Sequence, residues 1–305
     1  MPALSTLSPN LRGALWMLAS VLGATGMTVF VRMLSDEMHT AMIAFLRSAA
    51  GLLFLAPLLL RADGGRGALT MRRPSAHLLR GALIAAALNM GFYAIWKLPI
   101  AIATILFFLA PIFSTALAPS MAGEKVGPRR WAAVLAGFLG ALIVLRPGLA
   151  PFEPAMLAAL GSSLCFALAL MIGKRLSAED GSDAVFATSA LLTAALTLPP
   201  ALLAWEVPQA LWLWGLVLAL AAMSSLRGYA DIRAFAVGEA SVVAPVSYLR
   251  LPAVAVAGWL MFGETLDLWG LVGGAVIVGA TLYIMLRERS AARASGARAA
   301  GVAAP

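Results

Sequence analysis

Ten apolar stretches, each about as long as a bilayer crossing, tile nearly all of the 305 residues. A hydrocarbon core of roughly 30 Å takes about 20 mostly apolar residues in a helix. The stretches run at 11–31, 40–60, 78–96, 100–122, 130–146, 154–173, 184–205, 208–229, 240–262 and 268–286. Several complete a crossing with no charge, among them 13–31, 154–173 and 268–286. Lipid offers the backbone no hydrogen-bond partner, so such runs are read as helices. Charged residues make up 12% of the chain, about half the share of soluble domains, which excludes a soluble fold. The expected fold is an all-α integral membrane protein of ten transmembrane helices. The first stretch is too long for a signal-peptide core, and Arg32 rather than a small-residue cleavage site follows it, so it is read as retained. The single Cys165 lies inside an apolar stretch and reads as a packing residue.

The net charge of +8 would suit a nucleic-acid partner if it were clustered on one face. It is instead sorted by side. With the N-terminus inside, seventeen of the 22 Lys/Arg residues fall on the cytoplasmic side, including Arg72, Arg73, Arg129, Arg130, Lys174 and Arg175. Arg32, Lys97 and Arg146 fall outside, and Arg47 and Arg250 lie within crossings. This positive-inside bias orients both termini toward the cytoplasm, and a multi-pass place in a bacterial inner (plasma) membrane is expected. Contact with membrane lipid is expected and a nucleic-acid partner is not.

The second half echoes the first. Arg32-Met33-Leu34-Ser35 closes the first stretch and Lys174-Arg175-Leu176-Ser177 closes the sixth. Gly123-Glu124 and Gly263-Glu264 end the fourth and ninth, and Tyr93-Ala94 is matched by Tyr229-Ala230. Five crossings per half is an odd number, so the halves enter the membrane from opposite sides. The chain divides into two inverted five-helix repeats, residues 1–148 and 149–289, with a flexible cytoplasmic tail at 290–305. Carriers that work by alternating access exploit this arrangement, with the substrate near the midplane between the repeats.

The segment Ala236-Val237-Gly238-Glu239-Ala240-Ser241-Val242-Val243-Ala244-Pro245, with Leu251-Pro252 and Gly258-Trp259-Leu260-Met261-Phe262-Gly263-Glu264, resembles the second repeat of the drug/metabolite transporter superfamily in its EamA branch. Tyr93, Ala101-Ile102-Ala103, Pro111 and Gly123-Glu124 are the first-half counterpart. The resemblance implies a ten-helix carrier of small metabolites, and within the branch it is nearest to amino acid and aromatic amino acid exporters. Export of amino acids is the expected function. The alternatives are a carrier of another metabolite or drug, such as an importer of nucleotide-like or vitamin-like compounds, and a lipid flippase-like protein.

Polar groups inside crossings are rare and mark transport paths. Arg250 stands in the middle of the ninth stretch, far from either surface. Its guanidinium either grips a substrate carboxylate in a two-pronged contact or pairs structurally with carbonyls or Asp231. Arg47 is read as reaching toward the interface or toward Asp36 and Glu37. Asn89, Tyr93 and Trp96 share one helix face. With Phe107, Phe108, Tyr229, Ser247 and Tyr248 they outline an amphipathic cavity, against the simpler reading of aromatic packing and interfacial belts. Pro111, Pro245 and Pro252 remove helix hydrogen bonds and are candidate hinges, or else fixed bends. No phosphate-binding glycine loop and no metal-spaced His/Cys cluster occurs, so no cofactor, metal or catalysis is expected. A monomer or loose dimer is expected.

Overall fold

A computed structural model describes residues 8–54, 69–122, 126–146 and 153–284, and among them it contains no strand. The helices are α1 (Pro9–Ser35), α2 (Thr40–Gly51, continued by a 3-10 turn at Leu52–Phe54), α3 (Pro74–Lys97), α4 (Ile100–Phe107), α5 (Ala110–Ala122) and α6 (Pro128–Leu145). They continue as α7 (Pro154–Asp180), α8 (Ser182–Leu203), α9 (Leu211–Val237), α10 (Ala240–Ser247), α11 (Arg250–Phe262) and α12 (Leu268–Ile284). Among the described residues, eight helical segments are long and apolar enough to cross a membrane, and α12 is a shorter apolar helix. The expected stretch 40–60 is described only as far as Phe54. Glu124, the repeat boundary at 148 and 149 and the tail at 290–305 lie outside the described residues.

Local chemistry sets the helix ends. Proline occupies the first turn of α1, α3, α6 and α7, where its missing N–H has no intrahelical partner to lose. Ser8 accepts from the Leu11 N–H at 3.4 Å, capping α1. Gly263, with φ 66°, closes α11 in a left-handed conformation that other residues avoid.

Prolines also explain two interruptions. α4 ends at Phe107 and α5 resumes at Ala110; α10 ends at Ser247 and α11 resumes at Arg250. A proline ring clashes with the carbonyl four residues earlier. Four residues before Pro111 is Phe107, and four before Pro252 is Tyr248, so each helix breaks where its proline forbids continuation. The two broken helices recur at a spacing of 140 residues, with Phe108-Leu109 at one break and Tyr248-Leu249 at the other.

The halves interlock. α1 packs most extensively on α9, and α3 on α7. Exchanging the halves of an inverted pair turns the first contact into the second, the relation a pseudo-two-fold axis requires. Small residues permit these approaches. A Cβ on Gly23 would lie 2.9 Å from the Met223 carbonyl oxygen, and one on Gly140 would lie 2.9 Å from that of Gly273. The interior holds Ile43, Leu106, Leu109, Ile112 and Val254. Leu203 and Leu211, 92% and 86% exposed, belong to an apolar exterior suited to lipid.

Candidate functional site

The two helix breaks meet at the centre of the bundle. Phe108 stacks on Tyr248 with ring centroids 5.3 Å apart and planes 16° apart. Broken helices leave carbonyls that need donors. Ser163 of α7 donates to the Leu106 carbonyl at 2.8 Å. The Thr281 hydroxyl of α12 bonds Ile277 at 2.8 Å and lies 3.4 Å from the Phe108 carbonyl. Two carbonyls at the first break are therefore met from the opposite half.

A cavity of about 1270 Å³ opens beside the stacked pair, larger than a drug-sized ligand requires. Phe92, Phe107, Phe108 and Phe166 supply aromatic wall, and Ser114, Thr115 and Ser162 supply hydroxyls. Its lining includes six cationic side chains, Arg47, Arg130, Lys174, Arg175, Arg227 and Arg250, and among the described lining residues no carboxylate. Arg130, Lys174, Arg175, Ala178 and Met121 place its mouth where α5 and α7 end and α6 begins.

The other end of the bundle is laced shut. The Arg32 guanidinium donates to the Ile95 carbonyl at 3.0 Å and to that of Trp96. It also faces the Glu264 carboxylate at 3.5 Å, an ion pair rather than a hydrogen bond. The second Glu264 oxygen accepts the Ile100 N–H at 2.7 Å, capping the start of α4 with negative charge. Glu206 accepts from the His39 N–H at 3.2 Å, and Arg146 pairs with Asp267.

Phe107, Phe108, Arg250 and Pro111 stand in the cavity wall. Asn89, Tyr93, Tyr229, Ser247 and Tyr248 are outside it. Asn89 turns its amide back to the Ala85 carbonyl at 2.9 Å, and Tyr93 meets Trp96 edge-on. Tyr229 is 56% exposed and meets Trp16 edge-on. Tyr248 meets the cavity wall through its stack on Phe108. Pro245 lies inside α10, and Pro252 follows the second break. The face of α3 that fronts the cavity includes Leu88, Phe92 and Ile95, each one residue and hence about 100° around from Asn89, Tyr93 and Trp96.

Three groups of consequence carry little signal in the sequence. Arg47 does not engage Asp36 or Glu37; its Nε donates to the Ser224 hydroxyl at 3.0 Å. Asp231, which the sequence sets beside a cytoplasmic loop, accepts from the Ser20 hydroxyl at 2.5 Å. His77, 1% exposed, lies between Thr188 at 2.8 Å and the enclosed Asp180 carboxylate at 2.9 Å. The spacing of Ser224, Arg227 and Asp231 on one face of α9 is the signal that could have found the first two.

The sequence pattern of the EamA-like transporter family matches residues 11–146 and again residues 153–286. The S-adenosylmethionine uptake transporter of Rickettsia prowazekii is 29% identical over 93% of this chain and 95% of its own length. The riboflavin transporter of Vibrio cholerae is 31% identical over 93% and 96%. The pseudopaline exporter CntI of Pseudomonas aeruginosa is 32% identical over 85% and 90%. None of these three is named as an amino acid exporter, in contrast to the expectation drawn from the motifs. A solved crystal structure shares the fold with a TM-score of 0.63 at 20% identity, covering 90% of this chain and 97% of its own.

Proposed function

Since this chain belongs to the EamA-like transporter family, we propose that it is a secondary carrier for heteroaromatic metabolites of the vitamin-like or nucleotide-like class. Membrane transport of small metabolites follows from the family. The narrower substrate class rests on the cavity, whose phenylalanine wall suits a flat ring system and whose size exceeds the need of a single amino acid. Relatives named for S-adenosylmethionine and riboflavin support this reading over amino acid export.

The carrier works by alternating access between two inverted repeats, residues 1–148 and 149–289, in a bacterial inner membrane with both termini cytoplasmic. In that topology the open mouth faces the cytoplasm and the Arg32–Glu264 end faces outward, so the state described here is inward-open. Ligand seated beside the Phe108–Tyr248 stack would draw α5 and α11 together about the two breaks. Uptake is the direction we favour. A symmetrical carrier without an energy source obeys the substrate's own gradient, and the name of the pseudopaline exporter shows both directions among relatives.

Counterflow in proteoliposomes tests the reading. Vesicles loaded with unlabelled riboflavin, S-adenosylmethionine or a nucleotide should accumulate the labelled compound of at least one class. Flux confined to amino acids would overturn it.

A further inference from the structure

We propose that Arg47, Arg227 and Arg250 form an oxyanion subsite in the cavity, so that the transported compound carries a carboxylate or phosphate oxygen group. Three helices from both halves supply the guanidiniums: α2, α9 and α11. All three line the cavity. Arg227 lies near enough to Arg47 and to Arg250 for their charges to couple. The acid in this neighbourhood is Asp231, one turn along α9 from Arg227, and it too is coupled to Arg250. Its carboxylate is engaged by Ser20 at 2.5 Å and is not among the cavity-lining residues. The wall therefore presents these three guanidiniums and, among the described lining residues, no carboxylate.

The second observation concerns hydrogen bonds. Arg47 spends its Nε on Ser224. The Arg250 Nε is enclosed, with no hydrogen-bond partner among the described residues. An enclosed donor left unmade destabilises the site, more so on a charged group. Retaining it in a wall with surplus positive charge makes sense if a ligand supplies the acceptor. A guanidinium fork matches the paired oxygens of carboxylate or phosphate, and low-dielectric walls concentrate the positive potential on it. Arg250 has no twin in the first half, where Ala110 stands 140 residues earlier. The charge is therefore a feature of one repeat laid over symmetric scaffolding, as a substrate-selecting residue would be. With the ring beside Phe108 and the anion at Arg250, the substrate would bridge the two halves.

The inference rests on the carrier reading for its physiological meaning, but small probes test it without the substrate. Purified protein in detergent is melted with millimolar benzoate, phenyl phosphate or benzyl alcohol, followed by tryptophan fluorescence. A ligand that binds only the folded state raises the midpoint by mass action. Benzoate or phenyl phosphate should raise it, and which acts more strongly distinguishes carboxylate from phosphate. Neutral benzyl alcohol should bind roughly tenfold more weakly. Arg250→Gln should abolish the anion-dependent shift, and Arg250→Lys should recover only part of it. Equal shifts with neutral and anionic probes, no shift with either anion, or an anion shift that survives Arg250→Gln would each overturn the subsite.

If Arg250→Gln does not fold, the native protein is treated with phenylglyoxal and its peptides are weighed. Phosphate and benzoate, but not benzyl alcohol, should protect Arg250; absence of protection would overturn the proposal. The two readings separate cleanly. A protein that binds both anions yet exchanges no member of the metabolite panel refutes the carrier class and keeps the subsite. One that exchanges neutral and anionic forms of the same ring system equally refutes the subsite and keeps the carrier.

Discussion

At the scale of single residues, the Phe108–Tyr248 stack is the joint between the two halves. Its members stand in equivalent positions of α4–α5 and α10–α11, so the pair spans the axis that relates the repeats. Removing either ring forfeits the aromatic contact, on the order of 1 kcal/mol beyond lost burial. Phe108→Ala should in addition remove cavity wall, weakening ligands with large rings several-fold more than small ones in competition measurements. Tyr248→Ala, outside the wall, should act on every ligand alike and show first as a lowered melting midpoint. The reverse pattern would move the substrate ring to the α10 side. Much at this scale was illegible beforehand. The membrane-crossing part of α3 is mostly apolar, so no strong amphipathic stripe indicates which face meets the cavity. Asn89 and Tyr93 looked favourable because polar tips inside lipid demand a use, yet Asn89 satisfies itself on its own helix through Ala85.

At the scale of elements, the discontinuous helices are the mechanical feature. Pro111 and Pro252 each forbid the turn that would join their two pieces, and the Leu106 and Phe108 carbonyls at the first break are met by Ser163 and Thr281 from the other half. Pro111→Ala with Pro252→Ala restores two backbone N–H groups and lets both helices run on. Both prolines stand in the first turn of α5 or α11, where proline costs little, so the double variant should melt close to the parent and exchange substrate several-fold more slowly in counterflow. Unchanged flux at unchanged stability would make the breaks fixed bends rather than hinges. These breaks were legible as prolines in apolar runs, and their positions follow to within a residue from the four-residue reach of the ring. That they face one another was not legible, because periodicity describes one helix at a time.

At the scale of the whole molecule, one end is open and the other is tied. Glu264 does two tasks at the tied end: it neutralises Arg32 of α1 and caps α4 through Ile100. Glu264→Gln keeps an acceptor for the cap and discards the charge, weakening the tie between the repeats by roughly 1–3 kcal/mol. In a Cys165→Ser background, the thiol of Ile95→Cys, beside this end of the cavity, should then react faster with an impermeant maleimide applied from outside sealed cells. A rate equal to that of the parent carrying Glu264 would show that the tie does not hold this state.

Composition and the length of the apolar runs were enough to determine a helical membrane protein, because a bilayer imposes one length scale and forbids unsatisfied backbone. The matched landmarks also determined that two related halves exist, since repetition is a property of order along the chain. Only the tertiary structure decided that Arg47, Arg227 and Arg250 share one cavity while Tyr229 faces outward. In a chain that is mostly apolar, hydrophobicity no longer distinguishes inside from outside. The choice passes to close packing at glycines such as Gly23 and Gly140 and to the few polar partners each helix finds across the bundle.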